Sequence, residues 1–273
     1  MQIKLFCSTW GMTRPNLEAN LRKIAGSNYQ GVELVAPATA DERTALRSVL
    51  DELKLELVVQ IHSRGRTPAD HLDSLKQQIE AAAQLRPKFV NAHSGKDHYS
   101  VGVNAELIGD ANAFAEGLGV SLLHETHRGR ATFSAPATAQ LIEMLPGLLL
   151  TADFSHWCCV HESLLHDQEE RMSLAISRTR HIHARVGHTQ ASQVPDPRVP
   201  EWSYAVDRHL QWWDTIVKLR HEAGDAQLSI CPEFGPYPYM VQQPSTRQDI
   251  VNLWDVNAHM RDLLQARYAQ QPR

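Results

Sequence analysis

The sequence predicts an α/β fold, a (β/α)₈ barrel in one domain spanning residues 1–273. Three observations predict it. Eight short apolar runs alternate with eight longer amphipathic stretches, at spacings of roughly 25 to 45 residues. Most of the apolar runs are continuous, as strands covered on both faces by helices are. No Gly-rich phosphate turn follows the first run, which argues against the doubly wound open sheet.

The elements follow in order. IKLFCS (3–8) is the first strand, and NLEANLRKIA (16–25) a helix with apolar residues three and four apart. GVELV (31–35) and ERTALRSVLDEL (42–53) form the second pair. LELVVQIH (55–62) is followed by DHLDSLKQQIEAAAQL (70–85), whose start is marked by Thr67 and Pro68. KFVNAH (88–93) precedes NAELIGDANAFAEGLG (104–119), which Gly119 stops. GVSLLHE (119–125) precedes SAPATAQLIEML (134–145), with Ser134 as cap and Pro136 in the first turn. GLLLTAD (147–153) pairs with the helix HDQEERMSLAIS (166–177), and TRHIHA (179–184) with VDRHLQWWDTIVKLRHEAG (206–224). AQLSICPE (226–233) and a helix over 245–270 close the chain.

Composition narrows the function classes. The chain is 42% hydrophobic and 21% charged, enough apolar material for one sizeable core. Asp and Glu number 31 against 27 Lys and Arg, so the charge of -4 argues against a nucleic-acid partner. No apolar run reaches the roughly 18 residues of a membrane span, and MQIKLFCSTW reads as a strand rather than a signal peptide. Cys7, Cys158, Cys159 and Cys231 show no CxxC spacing, which fits a reduced, cytoplasmic setting.

In a (β/α)₈ barrel the chemistry lies at the C-terminal ends of the strands. Strands three to eight end in His62, His93, Glu125, Asp153, His183 and Glu233. The last four occupy consecutive strands, and such residues are costly to bury without partners. One divalent cation would gather them and neutralise their charge. Three carboxylates and an imidazole suit Mn²⁺, Mg²⁺, Co²⁺ or Zn²⁺. His181 competes with His183, because residues two apart on a strand face the same side; His183 lies nearer the mouth and is preferred. His124 faces away from Glu125 and is expected behind the barrel.

HETHR, TADFSHW, HIHARVG and PEFGP, in this order on strands five to eight, resemble the xylose isomerase-like TIM-barrel superfamily of sugar phosphate isomerases and epimerases. The resemblance covers essentially the whole chain. Its ketose 3-epimerases imply metal ligands at Glu125, Asp153, His183 and Glu233, and a substrate contact at His156, three residues after the aspartate. The chain departs from the pattern after strand seven, where Val186 replaces an acidic residue and Arg185 precedes it. Endonuclease IV, in the same superfamily, needs a richer ligand set and a basic face.

The expected function is a metal-dependent isomerase or epimerase of a ketose or keto-polyol. A carboxylate removes a proton beside a carbonyl, and the metal stabilises the resulting ene-diolate. Glu125 and Glu233 are the expected acid–base pair, on opposite sides of the other two ligands. The alternative is a dehydratase or lyase of a cyclic keto-polyol, of the inosose or dehydroshikimate type, using the same metal and base. A non-catalytic barrel that keeps the metal is a third class, disfavoured by the intact acid–base pair. His62, His93, Arg128, Arg185 and Trp10 are candidate substrate contacts. Residues 185–204, with three prolines, are expected to form a closing loop carrying Trp202, or a contact in a homo-oligomer. Trp212 and Trp213 are expected in the core.

Overall fold

The computed structural model describes residues 1–12 and 16–269. Eight parallel strands close into a barrel in chain order. They are β1 (Gln2–Ser8), β2 (Gly31–Leu34), β3 (Glu56–His62), β4 (Phe89–His93), β5 (Leu122–Glu125), β6 (Leu150–Ala152), β7 (Thr179–His183) and β8 (Gln227–Cys231). The helices are α1 (Leu17–Ala25), α2 (Ala40–Leu53), α3 (Pro68–Ala83), α4 (Val101–Gly117), α5 (Ala135–Met144), α6 (Ser155–Val160), α7 (Glu169–Arg178), α8 (Ser203–Glu222) and α9 (Leu253–Tyr268). The fold is the single-domain (β/α)₈ barrel that the alternating pattern predicts. No helix among the described residues is long and apolar enough to cross a membrane.

Local chemistry accounts for the helix starts. Thr39 with Glu42 and Thr67 with Asp70 form reciprocal capping boxes for α2 and α3. Ser100, Ser134 and Asn252 accept backbone N–H groups at the starts of α4, α5 and α9. The Asn252 cap also corrects the last helix, which the sequence places at 245–270. It begins at Leu253, because the preceding segment turns back on itself through Arg247, at φ 58°; residue 270 lies outside the described residues. The short α6 was not anticipated. Its six residues are too few for a periodic signal.

Two apolar layers hold the barrel. Outside, helix faces such as Leu75, Ile79 and Ala82 of α3 pack on the strands. Inside, Phe6, Val58, Phe89, Leu123 and Cys231 form a buried plug. Gly31 stands opposite Phe6, and a Cβ there would overlap the Phe6 ring. Each strand then continues upward from the plug in steps of two, so Glu33, Asn91, Glu125 and His183 follow on the inner side. Trp212 and Trp213 are buried on α8.

His124 lies behind the barrel as its register requires. Its Nδ1 meets Ser94 Oγ at 2.7 Å and its Nε2 meets Asn112 Oδ1 at 2.9 Å. Burial pushes this imidazole from the ordinary 6.5 down to about 3. The unfolded chain thus takes up a proton below pH 6.5 that the folded chain refuses until far lower pH. Stability present above 6.5 is lost on acidification, by up to about 1.4 kcal/mol per pH unit. Between about pH 7 and about pH 5, His124→Leu is expected to lose about 2 kcal/mol less than the parent in denaturant titrations. It should still be the less stable protein at neutral pH, having lost two hydrogen bonds. Equal acid losses in the two proteins would contradict this account.

Candidate functional site

The mouth of the barrel brings together Glu125 from β5, Asp153 after β6, His183 from β7 and Glu233 after β8. One donor atom from each lies within 4.8 Å of the others, and all four residues are buried. His183 Nδ1 sits 2.9 Å from Glu233 Oε2 and 3.4 Å from Glu125 Oε2. It nevertheless makes no hydrogen bond, and neither does the buried Glu125 Oε1. Close approach without hydrogen-bond geometry is what atoms aimed at a common point show. These donors fit a hard or borderline divalent cation, since buried carboxylates need a compensating charge.

A residue the sequence reading missed organises this group. Glu33 of β2 is buried, and its carboxylate receives Asn91 Nδ2 at 2.9 Å, His183 Nε2 at 2.9 Å and His181 Nε2 at 3.2 Å. Burial pushes the Glu33 carboxyl up, but the His183 charge and both histidine hydrogen bonds outweigh it and hold the group well below its usual range. By accepting a hydrogen bond from Nε2–H, Glu33 directs Nδ1 of His183 toward Glu125 and Glu233, where it becomes a ligand on giving up its proton. Burial likewise opposes a charge on His183 itself, yet Glu233, Glu33 and Glu125 together raise its pKa well above the ordinary value. His181 is committed elsewhere: Nδ1 to Ser229 Oγ at 2.7 Å and Nε2 to Glu33. That leaves His183 as the histidine facing the carboxylates.

Asp153 is held on both oxygens. Oδ1 accepts from the Ser155 amide at 3.1 Å and from its hydroxyl, and Oδ2 pairs with Arg185. Burial raises this carboxyl, and Arg185 only partly offsets the rise. Arg185 is fully buried, reaches His156 Nε2 at 2.9 Å and lies 3.6 Å from Glu233.

His62, His93 and His127 line one wall, and their run of ring contacts continues to the buried His156. The rings of His62 and His93 are 4.4 Å apart, those of His93 and His127 are 4.4 Å apart, and those of His127 and His156 are 3.9 Å apart. Burial first, then the charge on His93, lowers His62 to about 3. Burial also puts His127 and His156 well below their ordinary range. His93 Nε2 and Asn91 Nδ2 both meet Glu125 Oε2, at 2.8 Å each, which fixes that carboxylate and leaves Oε1 open. Two further donor clusters adjoin the group of four, His93 with Glu125 and His127, and Glu33 with His181 and His183, each with a single carboxylate to balance a cation.

The site opens into a cavity of about 920 Å³ lined by Glu33, His62, His93, Glu125, Arg185 and Glu233 among others. Trp10 lies edge-on to Tyr239 at 5.0 Å, with the Arg185 guanidinium 4.7 Å from the Tyr239 ring. A Cβ on Gly235 would overlap Trp10, so the glycine of PEFGP makes room for that indole. His156 is sealed behind Arg185 and does not line the cavity, and Arg128 rests over Tyr239 at its rim. The 185–204 segment is a packed wall rather than a free flap. Buried Gln193 exchanges hydrogen bonds with Gly235 at 2.8 and 3.2 Å, and Val194 folds back on Val186. Trp202 packs on His188 at 4.7 Å instead of over the mouth.

The family profile for xylose isomerase-like TIM barrels matches residues 21–250. The chain belongs to that family. No curated protein matches the sequence. Among solved structures, this xylose isomerase-like barrel is similar to D-psicose 3-epimerase with D-tagatose from Clostridium cellulolyticum H10. They share 13% identity at a TM-score of 0.66, over 98% of this chain and 100% of that one. A xylose isomerase-like TIM barrel protein from Mycobacterium smegmatis in complex with magnesium gives 12% identity and 0.66, over 96% and 95%. The probable 3-DHS dehydratase AsbF from Bacillus anthracis gives 13% and 0.61, over 96% and 98%. Likeness at these identities establishes the shared fold.

Glu33 is expected to position His183. In the metal-free protein, Glu33→Leu should lower the pKa of His183, followed by imidazole nitrogen NMR, since Glu33 is one of the carboxylates that raise it. Mn²⁺ affinity should fall by about 10–100-fold. Glu33→Gln, whose amide oxygen still accepts, should lose less. Parental affinity in Glu33→Leu would remove the role.

Proposed function

We propose that this protein is a divalent-metal-dependent enzyme acting on a small ketose or keto-polyol, moving a proton on the carbon beside a carbonyl. The reading is isomerisation or epimerisation. The observation that carries it is the convergence of Glu125, Asp153, Glu233 and the unbonded Nδ1 of His183 beside an open cavity. A cation held by these four (Mn²⁺, Mg²⁺, Co²⁺ or Zn²⁺) would supply carbonyl polarisation and charge stabilisation for an ene-diolate.

The remaining work falls to side chains. Glu125 is held through Oε2 by Asn91 and His93, so its unpartnered Oε1 is the natural proton acceptor. Glu233 comes from β8, beyond the β6 and β7 ligands, and addresses the substrate from the other side. Removal by one carboxylate and return by the other inverts a stereocentre; return to the neighbouring carbon exchanges ketose and aldose. His62, held neutral by burial, offers one donor and one acceptor to hydroxyl groups, and His127, whose Nδ1–H donates to the Arg128 carbonyl at 2.5 Å, offers its Nε2 as an acceptor. Trp10 and Tyr239 cover one face of the site. Loss of a β-hydroxyl after the same proton removal would make the enzyme a dehydratase, the second reading.

Ketoses and cyclic ketoses incubated with the Mn²⁺-loaded protein in D₂O separate these outcomes by NMR. Deuterium beside the carbonyl is expected, and a new enone signal would instead select dehydration. Glu125→Gln and Glu233→Gln should each slow exchange by about 10²–10⁴-fold while remaining folded. Exchange at the parental rate in either variant would reject its role.

A further inference from the structure

The cavity does not end at the proton-transfer groups. Beyond Trp10 it runs outward between α1 and α2, the helices that follow β1 and β2. This outer arm is lined by Leu17 and Leu21 of α1, Leu46 and Val49 of α2, and Val35 and Pro37 after β2. None of these side chains can hydrogen-bond a sugar. Val35 is 38% exposed, an apolar side chain left facing solvent at the edge of the cleft. Asn20, Glu18 and Glu42 are the polar lining groups of these two helices, so an apolar group gains more from such a wall than a polyol does, by removing its own surface and the wall's from water.

Charge sharpens the ligand class. The acidic side chains lining the arm are already committed, Glu18 to Arg22 at 2.8 Å and Glu42 to the Thr39 cap at 2.8 Å. The guanidinium groups among the described lining residues, Arg130 and Arg185, are at the inner end. Among the described residues, a phosphate or carboxylate in the arm would meet carboxylates and no cation there. The whole cavity, about 920 Å³, lies at the upper end of the roughly 300–1,000 Å³ of small-molecule sites.

We propose that the substrate is an α-hydroxyketone bearing a neutral apolar substituent, alkyl or aryl, and that the cleft between α1 and α2 is the subsite for it. This rests on the proposed proton-transfer chemistry only for the position of the hydroxyketone head.

The probe is a series of straight-chain α-hydroxyketones, lengthened one methylene at a time from hydroxyacetone, with the Mn²⁺-loaded full chain. Affinity by calorimetry and deuterium exchange by NMR are read separately. Affinity should tighten by about fourfold per methylene until the arm is filled. Val49→Trp, which fills the arm, and Val49→Asp, which charges it, should each flatten that dependence; Val49 is half-buried, and circular dichroism checks the fold. In Glu125→Gln the dependence on tail length should persist while exchange collapses. A flat series, no binding at any length, or an undiminished dependence in both Val49 variants overturns the subsite. Rising affinity with no exchange in the parent upholds the subsite and overturns the proton-transfer reading instead.

Discussion

The mouth of this barrel is governed by the burial of four carboxylates, Glu33, Glu125, Asp153 and Glu233, in one small volume. A buried carboxylate without a partner is too costly to persist. Three of them have been given distinct forms of compensation, and Glu233 lies 2.9 Å from His183 Nδ1. Glu33 takes three nitrogen donors, Asp153 takes Arg185 and Ser155, and Glu125 takes Asn91 and His93 on one oxygen only. Glu125 Oε1 and His183 Nδ1 make no hydrogen bond, and their residues cluster with Asp153 and Glu233. The candidate cation site is therefore the residue of an otherwise completed pairing scheme.

The scaffold makes that scheme possible by layers. The plug of Phe6, Val58, Phe89, Leu123 and Cys231 fills the barrel below Glu33 and His181, giving them an apolar floor. Gly31 admits the Phe6 ring on the strand that two residues later presents Glu33. A register shift between Leu150 and Thr151 marks the pairing of β6 with β7, the strands that deliver Asp153 and His183. Above the floor, Gly235 lets Trp10 close against the segment carrying Glu233.

The fold was legible because covered parallel strands write themselves as mostly continuous apolar runs, and seven observed strands fall within the run that announced them, β1 starting one residue earlier at Gln2. Glu125, Asp153, His183 and Glu233 were legible as candidates because ligand-type residues ended four consecutive strands. Glu33 was not, although GVELV places a carboxylate inside an apolar strand; its importance depends on cross-barrel contacts with Asn91 and β7 that no local pattern encodes. The choice between His181 and His183 needed coordinates for the same reason, since both face inward. His156 matched a motif position, yet the packing of Arg185 seals it from the cavity. The prolines of 185–204 correctly marked an irregular excursion, but the Gln193–Gly235 bonds that pin it join segments far apart in sequence.

The chemistry proposed depends on one claim, that Glu125, Asp153, His183 and Glu233 hold a divalent cation between them. Crystals grown with Mn²⁺, with diffraction recorded for the anomalous signal of manganese, test it most directly. The account predicts one anomalous peak within about 2.0–2.3 Å of a donor atom from each of the four residues. Full-occupancy Mn²⁺ elsewhere in the barrel, with these four side chains more than about 3 Å from it, would contradict the account.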